Sequence, residues 1–337
     1  MPNELLKRID ESSSRTLHLD KKDTQILTCL LKDARAPINS IAKKVGLSKD
    51  SIIYRIKRLK NKQIILGFFP KLNFQKLGYE EFHLFLLLDE KNKEKQNEFI
   101  EKTMSHPNVT KVMEYSGRWD FEICILAKTL SEFDVLCEDI ISGFQDMIMQ
   151  KEKTATIYFL YHTFAPGDFR EEKITEPSNC KKLSYDEKDL ILLSELAKDG
   201  RASTYKISEK VKLSPDTVRL RIKKLKEQGI IEKFTVKLNL SRLGYQWQVF
   251  VSDVSLFDHN LKKKIEYFVR NSNSIISTRK LLGYWDVRVD MLSKNHNDYH
   301  RQIEEIKREF SNVIRGYQTW LVYKELLFNP FPLVFLK

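Results

Sequence analysis

Basic side chains line one face of a predicted helix at two places in the sequence. The stretch LSKDSIIYRIKRLKNKQII begins at Leu47, and the stretch LSPDTVRLRIKKLKEQGII begins at Leu213. In each stretch a serine stands at the N-cap position, and apolar residues then recur at the i, i+4, i+7 spacing of one helical face. The opposite face is almost entirely basic. Because a stripe of one charge sign is typical of a surface that binds a polyanion, both stretches are predicted to be DNA recognition helices.

The candidate DNA contacts fall into two groups on each helix. Side chains near the N-terminal end are expected to reach base edges, whereas basic side chains deeper in the helix are expected to hold phosphates. The base-reading candidates are Lys49, Ser51, Ile53 and Tyr54 in the first helix and Pro215, Thr217, Arg219 and Leu220 in the second. The phosphate candidates are Lys57, Arg58, Lys223 and Lys224, for which a solvated helix face is the alternative. Since the base-reading residues differ, the two helices are predicted to read unlike half-sites.

Arg55 and Arg221 lie beside the buried stripes of the two helices, and two interpretations of them are open. Each either braces its own domain, through Asp23 or Asp189, or contacts a DNA phosphate.

Two further helices are predicted to position each recognition helix. The first begins after an N-cap aspartate, Asp20, and the second follows Pro37 and ends at Gly46. Gly46 stands where the turn between crossed helices requires a left-handed residue, so the pattern predicts a helix-turn-helix. In the second copy Lys212 occupies the position of Gly46, and it must adopt the same conformation if the turn is the same.

After each helix-turn-helix the sequence predicts a small sheet. In the first copy the predicted strands are 82–89, 109–115, 121–127 and a fourth near 154–162, with helices at 93–104 and 131–144. Gly117-Arg118-Trp119-Asp120 is typical of a tight hairpin turn between two of these strands. The order βαββαβ predicts an α+β, ferredoxin-like sheet with both helices on one face.

The whole pattern occurs twice, displaced by about 166 positions. Asp20 aligns with Asp186, and the Gly117 turn aligns with Gly283-Tyr284-Trp285-Asp286; near the last strand the register is predicted to slip, with Tyr161 matching Tyr323. The predicted segments are an extension (1–18), a first helix-turn-helix (19–66) and sheet domain (67–164), a linker (165–183), a second helix-turn-helix (184–232) and sheet domain (233–327), and an apolar tail (328–337).

Composition narrows the classes of function. The 337 residues carry a net charge of +12, which favours an acidic partner such as nucleic acid. No apolar run is long enough to cross a membrane and the N-terminus lacks the apolar core of a secretory signal, so a cytoplasmic protein without a membrane partner is expected. The four cysteines form no CxxC pair, and neither a phosphate loop nor a nucleophile elbow occurs. We therefore expect no enzyme, with no catalytic residues, no cofactor and no metal site.

Each half resembles a complete member of the Lrp/AsnC, or feast/famine, family of prokaryotic transcription regulators. The resemblance rests on the LDKKDTQIL opening, the VGLS and VKLS turns, the RIKRL and RIKKL helices and the Gly-x-Trp-Asp turns. It implies a winged helix-turn-helix joined by a strand to a βαββαβ domain called the RAM domain. It also implies double-stranded DNA as partner and an amino acid or other small metabolite as effector.

The resemblance further implies that the Gly-x-Trp-Asp turns help to form the effector pocket, although plain turn geometry would also select their residues. These effector candidates are Gly117, Trp119, Asp120, Gly283, Trp285 and Asp286. Family members have one unit per chain and assemble as dimers or rings of dimers. Because this chain contains two units, we expect them to pair with each other as an intramolecular pseudo-dimer. Such chains could assemble further into a homodimer or higher oligomer. We expect the apolar tail to lie across the junction between the two units or on a neighbouring chain.

Two alternatives to a DNA-binding regulator use the same scaffold. Sirohaem decarboxylases resemble Lrp/AsnC units, but they carry a histidine in the RAM strand where this chain has Lys111-Val112 or Thr278-Arg279. The other alternative is a ligand-sensing scaffold without DNA binding. The basic faces of both predicted recognition helices are intact, and this argues against that alternative.

Overall fold

The computed structural model describes residues 17–89, 92–163, 167–169 and 184–336. Residues 1–16 of the predicted extension and most of the predicted linker at 165–183 lie outside these residues. The α-helices of the described residues are α1 (Lys21–Lys32), α2 (Ile38–Val45), α3 (Lys49–Asn61), α4 (Lys93–Ser105), α5 (Leu130–Ile141), α6 (Glu187–Lys198), α7 (Thr204–Val211), α8 (Pro215–Glu227), α9 (His259–Asn271) and α10 (His296–Glu309). The strands are β1 (Ile65–Leu72), β2 (Glu80–Leu88), β3 (Val109–Ser116), β4 (Phe121–Ala127), β5 (Ile148–His162), β6 (Ile231–Leu238), β7 (Gln246–Val254), β8 (Ile275–Leu282), β9 (Val287–Ser293) and β10 (Ile314–Phe328).

Local side-chain chemistry sets the starts and turns of the helix-turn-helix units, as the sequence predicts. The Asp20 carboxylate accepts a hydrogen bond from the Asp23 backbone N–H at 2.7 Å, and Ser48 caps α3 in the same way. Gly46 has a φ of 68°, and Lys212 has a φ of 53° at the equivalent turn. The predicted left-handed conformation of Lys212 is therefore confirmed.

The two helix-turn-helix units share one hydrophobic core. Strand β1 pairs antiparallel with β6 of the other repeat, and a single buried cluster contains apolar residues of both units. The Gly200 N–H donates to the Phe68 carbonyl at 2.7 Å, and the Ala34 N–H donates to the Phe234 carbonyl at 2.9 Å. Each repeat thus hydrogen-bonds to the strand of the other in the same way. The predicted boundaries at 66/67 and 232/233 fall inside β1 and β6, because these strands belong to the shared core.

The eight remaining strands close into one sheet in the order β10-β3-β4-β2-β5-β8-β9-β7, with β7 hydrogen-bonded to β10. Strand β5 pairs with β2 of its own repeat through its first half and with β8 of the other repeat through its second half. Strand β10 likewise pairs with β7 of its own repeat through its first half and with β3 of the other repeat through its second half. The two RAM units therefore pair with each other within the chain, as expected for a linked duplication.

Two expectations about the last strand of each RAM unit are wrong. Strand β5 begins at Ile148, ahead of the predicted start near Thr154, because Lys151 and Lys153 of its first half face acidic residues of α5, as in the 2.6 Å contact between Lys153 and Asp134. The register does not slip either: Tyr161 faces Thr278, and Leu327 faces Val112 at the equivalent place. Both strands contain a mixture of aromatic and aliphatic residues, so their sequences can be aligned in more than one register. Only the pairing with neighbouring strands shows which register is correct.

The helices of the RAM units pack on the outside of the closed sheet, and aromatic side chains fill part of its inside. Two outer clusters join α4 and α5 to the first RAM unit and α9 and α10 to the second. An inner cluster contains Trp119, Trp285 and Trp320. Each sheet thus covers its inner face with the sheet of the other repeat.

The C-terminal tail packs beneath the helix-turn-helix units. The ring of Phe335 lies 5.0 Å from that of Tyr79, and both Phe331 and Phe335 belong to the shared core. Phe169 is buried in the same core at the equivalent position, so this part of the predicted linker is not a solvated segment. None of the described helices is long and apolar enough to span a membrane.

Candidate nucleic-acid interface

The N-terminal halves of α3 and α8 present large apolar side chains to solvent. Ile53 is 45% exposed, Tyr54 64% and Leu220 67%. Lys49 and Arg219 are exposed on the same helices, while Pro215 is partly exposed. Exposed apolar side chains among basic residues suit a surface that meets both base edges and phosphates.

Some predicted base-reading side chains already have partners in the helices themselves. The Ser51 hydroxyl lies 2.9 Å from that of Ser48, and the Thr217 hydroxyl lies 2.8 Å from that of Ser214. Arg219 forms an ion pair with Asp216 one turn earlier, on the solvent side. This ion pair occupies one nitrogen of the Arg219 guanidinium, and opening it would free both terminal nitrogens for a base.

Arg55 and Arg221 brace their domains in the structure. Arg55 contacts Asp20 at 2.6 Å and Asp23 at 2.8 Å, and Arg221 contacts Asp186 and Asp189, each at 2.8 Å. The hydrogen bond from Arg55 holds the pKa of Asp20 below its ordinary value. These pairs tie each recognition helix to the first helix of its unit.

Arg58, predicted to hold phosphate, also forms an ion pair with the buried Asp23. At the equivalent position Lys224 reaches the Ser184 hydroxyl at 3.3 Å. Lys57 and Lys223 are exposed, and the one ion pair described for Lys223 is a 3.8 Å contact with exposed Glu227. Within the described residues, Lys57 and Lys223 are therefore the phosphate candidates best placed to meet DNA.

Comparisons with known proteins identify the helices and their context. Residues 19–60 match the AsnC-type helix-turn-helix domain, and residues 185–232 match the winged helix-turn-helix DNA-binding domain. An uncharacterized HTH-type transcriptional regulator of Pyrococcus furiosus is 35% identical over 120 residues, which cover 35% of this chain and 78% of that protein. The chain belongs to the Lrp/AsnC family. The HTH-type transcriptional regulator FL11 of the same organism is 32% identical, over 34% of this chain and 76% of its own length.

This Lrp/AsnC protein is a DNA-binding transcription regulator, and its tandem helix-turn-helix units each match a known domain. Its relatives at this identity carry regulator names, so it is a regulator and not an enzyme. The crystal structure of the sirohaem decarboxylase NirDL with an iron-uroporphyrin III analogue covers 91% of this chain and 93% of its own, with a TM-score of 0.60 and 14% identity. A likeness at that identity shows that the two share a fold.

The glycines of the predicted effector turns are needed for the backbone. Gly117 has a φ of 148° and Gly283 a φ of 153°, values that side chains of L-residues disfavour. A Cβ on Gly283 would also lie 2.8 Å from the Thr154 side chain. Turn geometry therefore accounts for both glycines.

The other turn residues point inward. Trp119 and Trp285 are buried in the inner aromatic cluster. The Asp120 carboxylate accepts a hydrogen bond from the Leu88 N–H at 2.6 Å, and Asp286 does the same with Val254 at 3.1 Å. Effector contact by these turns stays a prediction, and the structure assigns each residue a part in the sheet.

A cavity of about 190 Å³ lies between the helix-turn-helix layer and the first RAM unit. Strand β1, the ends of β2, β3 and β5, and the start of the tail line it. Its polar lining includes Glu81, Lys111 and His162. Sequence reasoning missed this cavity because its residues are scattered over the chain and meet only in the closed sheet.

A buried network of charges crosses the inside of the closed sheet, and the sequence analysis missed it as well. Arg288 contacts Glu122 at 2.6 Å, and His83 contacts the same carboxylate at 2.7 Å. With Cys124, His83 and Glu122 form a group whose spacing could hold a metal ion. In this structure the Glu122 carboxylate already accepts hydrogen bonds from Arg288 and from the Tyr115 hydroxyl. The alternation of polar residues in β2, β4, β8 and β9 was the available signal.

Proposed function

We propose that this regulator binds its operator as one intramolecular pseudo-dimer whose two recognition helices read unlike half-sites. It would act in the cytoplasm, where prokaryotic DNA lies. The observation that carries the proposal is the core shared by the two helix-turn-helix units. Because β1 pairs with β6, α3 and α8 are held in one body, although their exposed residues differ.

Differences at equivalent positions support unlike half-sites. Arg219 of α8 stands where α3 has Ile53, and Leu220 stands where α3 has Tyr54. An arginine can donate two hydrogen bonds to a guanine, which discriminates by about 1 to 3 kcal/mol, whereas isoleucine offers only apolar contact. The preferred site should therefore be non-palindromic, with half-site centres about 10 base pairs apart.

Selection of binding sites from a random DNA library tests this proposal. We expect a non-palindromic motif, and we expect Arg219→Ala to relax the preference in one half-site only. Ile53→Ala is the matched variant and should affect the other half-site. A symmetric motif, or one that Arg219→Ala leaves unchanged, would show that the helices are equivalent readers or that like repeats pair between chains.

We also propose that the effector of this regulator is a small carboxylate with an apolar body, an amino acid being one such molecule, bound in the 190 Å³ cavity. Six aromatic rings line the cavity, so an apolar body would be enclosed; they belong to Phe69, Phe74, Tyr79, Tyr158, Phe159 and Phe328. The Lys111 ammonium lies 3.9 Å from the nearest Glu81 oxygen, and that carboxylate is held more closely, at 3.1 Å, by Arg279. Lys111 is thus available to a carboxylate of the ligand.

The charge around His162 supports a negatively charged ligand. Burial lowers the pKa of His162 well below its ordinary value, and the positive charges of Lys71, Lys111, Arg279 and Lys233 lower it further. A neutral imidazole in a positive field favours an anion beside it. Because the cavity joins β1 to the RAM strands, a ligand there would contact both the DNA-binding layer and the sheet.

The second repeat provides an internal control, since Ser277 and Phe328 stand at the positions of Lys111 and His162. Calorimetric titration with 3-phenylpropionate, L-phenylalanine and phenethylamine is the test. We expect both carboxylates to bind once per chain, Lys111→Ser to abolish binding, and the amine without a carboxylate not to bind. Two equal sites per chain, or equal binding of the amine, would contradict this assignment and leave the DNA-binding proposal intact.

A further inference from the structure

The inner faces of the two RAM units carry opposite charges at equivalent positions. Glu122 of β4 and Arg288 of β9 are 166 positions apart, and they contact each other at 2.6 Å. Both side chains are buried. In a pairing of two identical units, a residue near the twofold axis would face its own copy. Glu122 would then face Glu122, or Arg288 would face Arg288.

A second ion pair crosses between the repeats at a different place. Arg279 of β8 contacts Glu81 of β2 at 3.1 Å. The equivalents of these residues are Met113 and Trp247, neither of which is charged. The asymmetry therefore involves two independent pairs of positions.

Hydrogen bonds complete the network on both sides. The Tyr115 hydroxyl lies 3.0 Å from an Arg288 nitrogen, and its own equivalent is Leu281. On the second repeat, Asp290 contacts Arg279 at 3.1 Å and Arg288 at 3.0 Å, and its equivalent is Cys124. Asp290 neutralises only one of the two arginines of its unit. The second unit is thus left with an excess positive charge that Glu122 and Glu81 meet.

The same complementarity extends to the rim, where the hairpin turns of the two repeats approach. The Arg118 guanidinium lies 5.5 Å from the centre of the Tyr284 ring, which occupies the equivalent position. A cation over an aromatic face is attractive, whereas two arginines at this place would repel each other.

We propose that these residues make the two RAM units obligate partners of opposite type, so that the first unit pairs with the second and neither pairs with its own kind. A first–first pairing would bury two copies of Glu81 and Glu122 without their arginines, leaving only Lys111 and His83 of the same unit beside them. A second–second pairing would bury Arg279 and Arg288 without their glutamates. Since a buried charge that loses its partner is strongly destabilising, either pairing is disfavoured by about a hundredfold or more. The duplication thereby fixes which helix-turn-helix units lie together, whatever DNA they bind.

Charge exchange between two full-length chains, both carrying Cys180→Ser, tests the proposal. One chain carries Glu122→Arg with Ala155→Cys, and the other carries Arg288→Glu with Leu282→Cys. Ala155 and Leu282 face each other in the β5–β8 ladder, at a separation that a disulfide can span. Neither chain can close on itself without placing like charges together. The first unit of one chain and the second unit of the other are complementary and carry the two cysteines.

We expect the co-expressed pair to give a disulfide-linked heterodimer, at least about tenfold more than the same cysteine chains without the charge changes. Both cysteines in one otherwise unchanged chain should give an internal disulfide, which checks the geometry. Equal cross-linking with and without the charge changes would overturn the proposal. So would charge-reversed chains that, expressed alone, unfold at the temperature of the unchanged chain.

If the co-expressed pair yields no soluble protein, neutral variants decide. Glu122→Gln and Arg288→Met are made singly and together in one chain, and the unfolding midpoints are compared. If Glu122 and Arg288 are coupled, the double variant should lower the unfolding midpoint by less than the sum of the decreases in the two single variants. Additive decreases would overturn the proposal.

Discussion

At Lys212 the second repeat places a side chain in a backbone conformation that the first repeat gives to glycine. The φ and ψ of Lys212 are 53° and 49°, and its N–H donates to the Ser208 carbonyl at the end of α7. A left-handed lysine costs about 1 kcal/mol relative to glycine. We therefore expect Lys212→Gly to raise the free energy of unfolding by about 1 kcal/mol, as measured by denaturant unfolding.

The matched variant is Gly46→Ala in the first repeat, which should lower the free energy of unfolding by about the same amount. A Cβ on Gly46 would have its nearest neighbour, the Lys22 ammonium, at 3.6 Å, so conformation alone sets the loss. A destabilised Lys212→Gly protein would mean that the lysine side chain contributes more than its backbone conformation costs.

At the scale of the element, some basic residues of each recognition helix form ion pairs within their own unit, and others are predicted to contact DNA. If the two helices neutralise about six to ten phosphates, the log–log plot of affinity against salt should have a slope of about −5 to −9. Lys57→Ala and Lys223→Ala should each reduce that slope by about 1 without changing the preferred sequence. Gel-shift titrations at several salt concentrations measure both quantities.

Arg58→Ala is the informative comparison on the same helix. Because Arg58 is paired with buried Asp23, we expect this variant to lower the unfolding midpoint, with a smaller effect on the salt slope. The double variants Lys57→Ala/Arg58→Ala and Lys223→Ala/Lys224→Ala should both flatten the slope. If neither does, these four residues are not at the DNA interface.

At the scale of the whole molecule, the charges inside the closed sheet make stability depend on pH. Burial disfavours the ionised form of Glu122, but Arg288 and His83 outweigh burial and hold its pKa well below the ordinary 4.5. A carboxyl group whose pKa is lowered by folding contributes stability above about pH 4.5, and that contribution is lost as the pH falls towards the folded pKa.

We therefore expect the unfolding midpoint to fall on acidification below about pH 4.5, and to fall less steeply in Glu122→Gln. Glu98→Gln, at an exposed site on α4, is the control and should follow the unchanged protein. Parallel pH profiles for Glu122→Gln and the unchanged protein would show that Glu122 does not carry the acid sensitivity.

The sequence by itself determined the features that neighbouring residues control. The N-caps at Asp20 and Ser48, the turn residue Gly46 and the apolar stripe of α3 act within a few positions, so reading along the chain recovered the helix-turn-helix units. The order βαββαβ followed from similar local periodicities, and the repeat followed from comparing the chain with itself. The same local patterns carried the family resemblance.

Only the tertiary structure decided which strands pair across the repeats and what lies between them. Lys151 and Lys153 in the first half of β5 face acidic residues of α5, and the true register of β5 and β10 depends on the strands opposite. Glu122 and Arg288 are far apart in the chain, and the polar residues that alternate in their strands do not show which charge meets which. Closing the sheet brings them within 2.6 Å of each other, away from water, where a charge requires a partner.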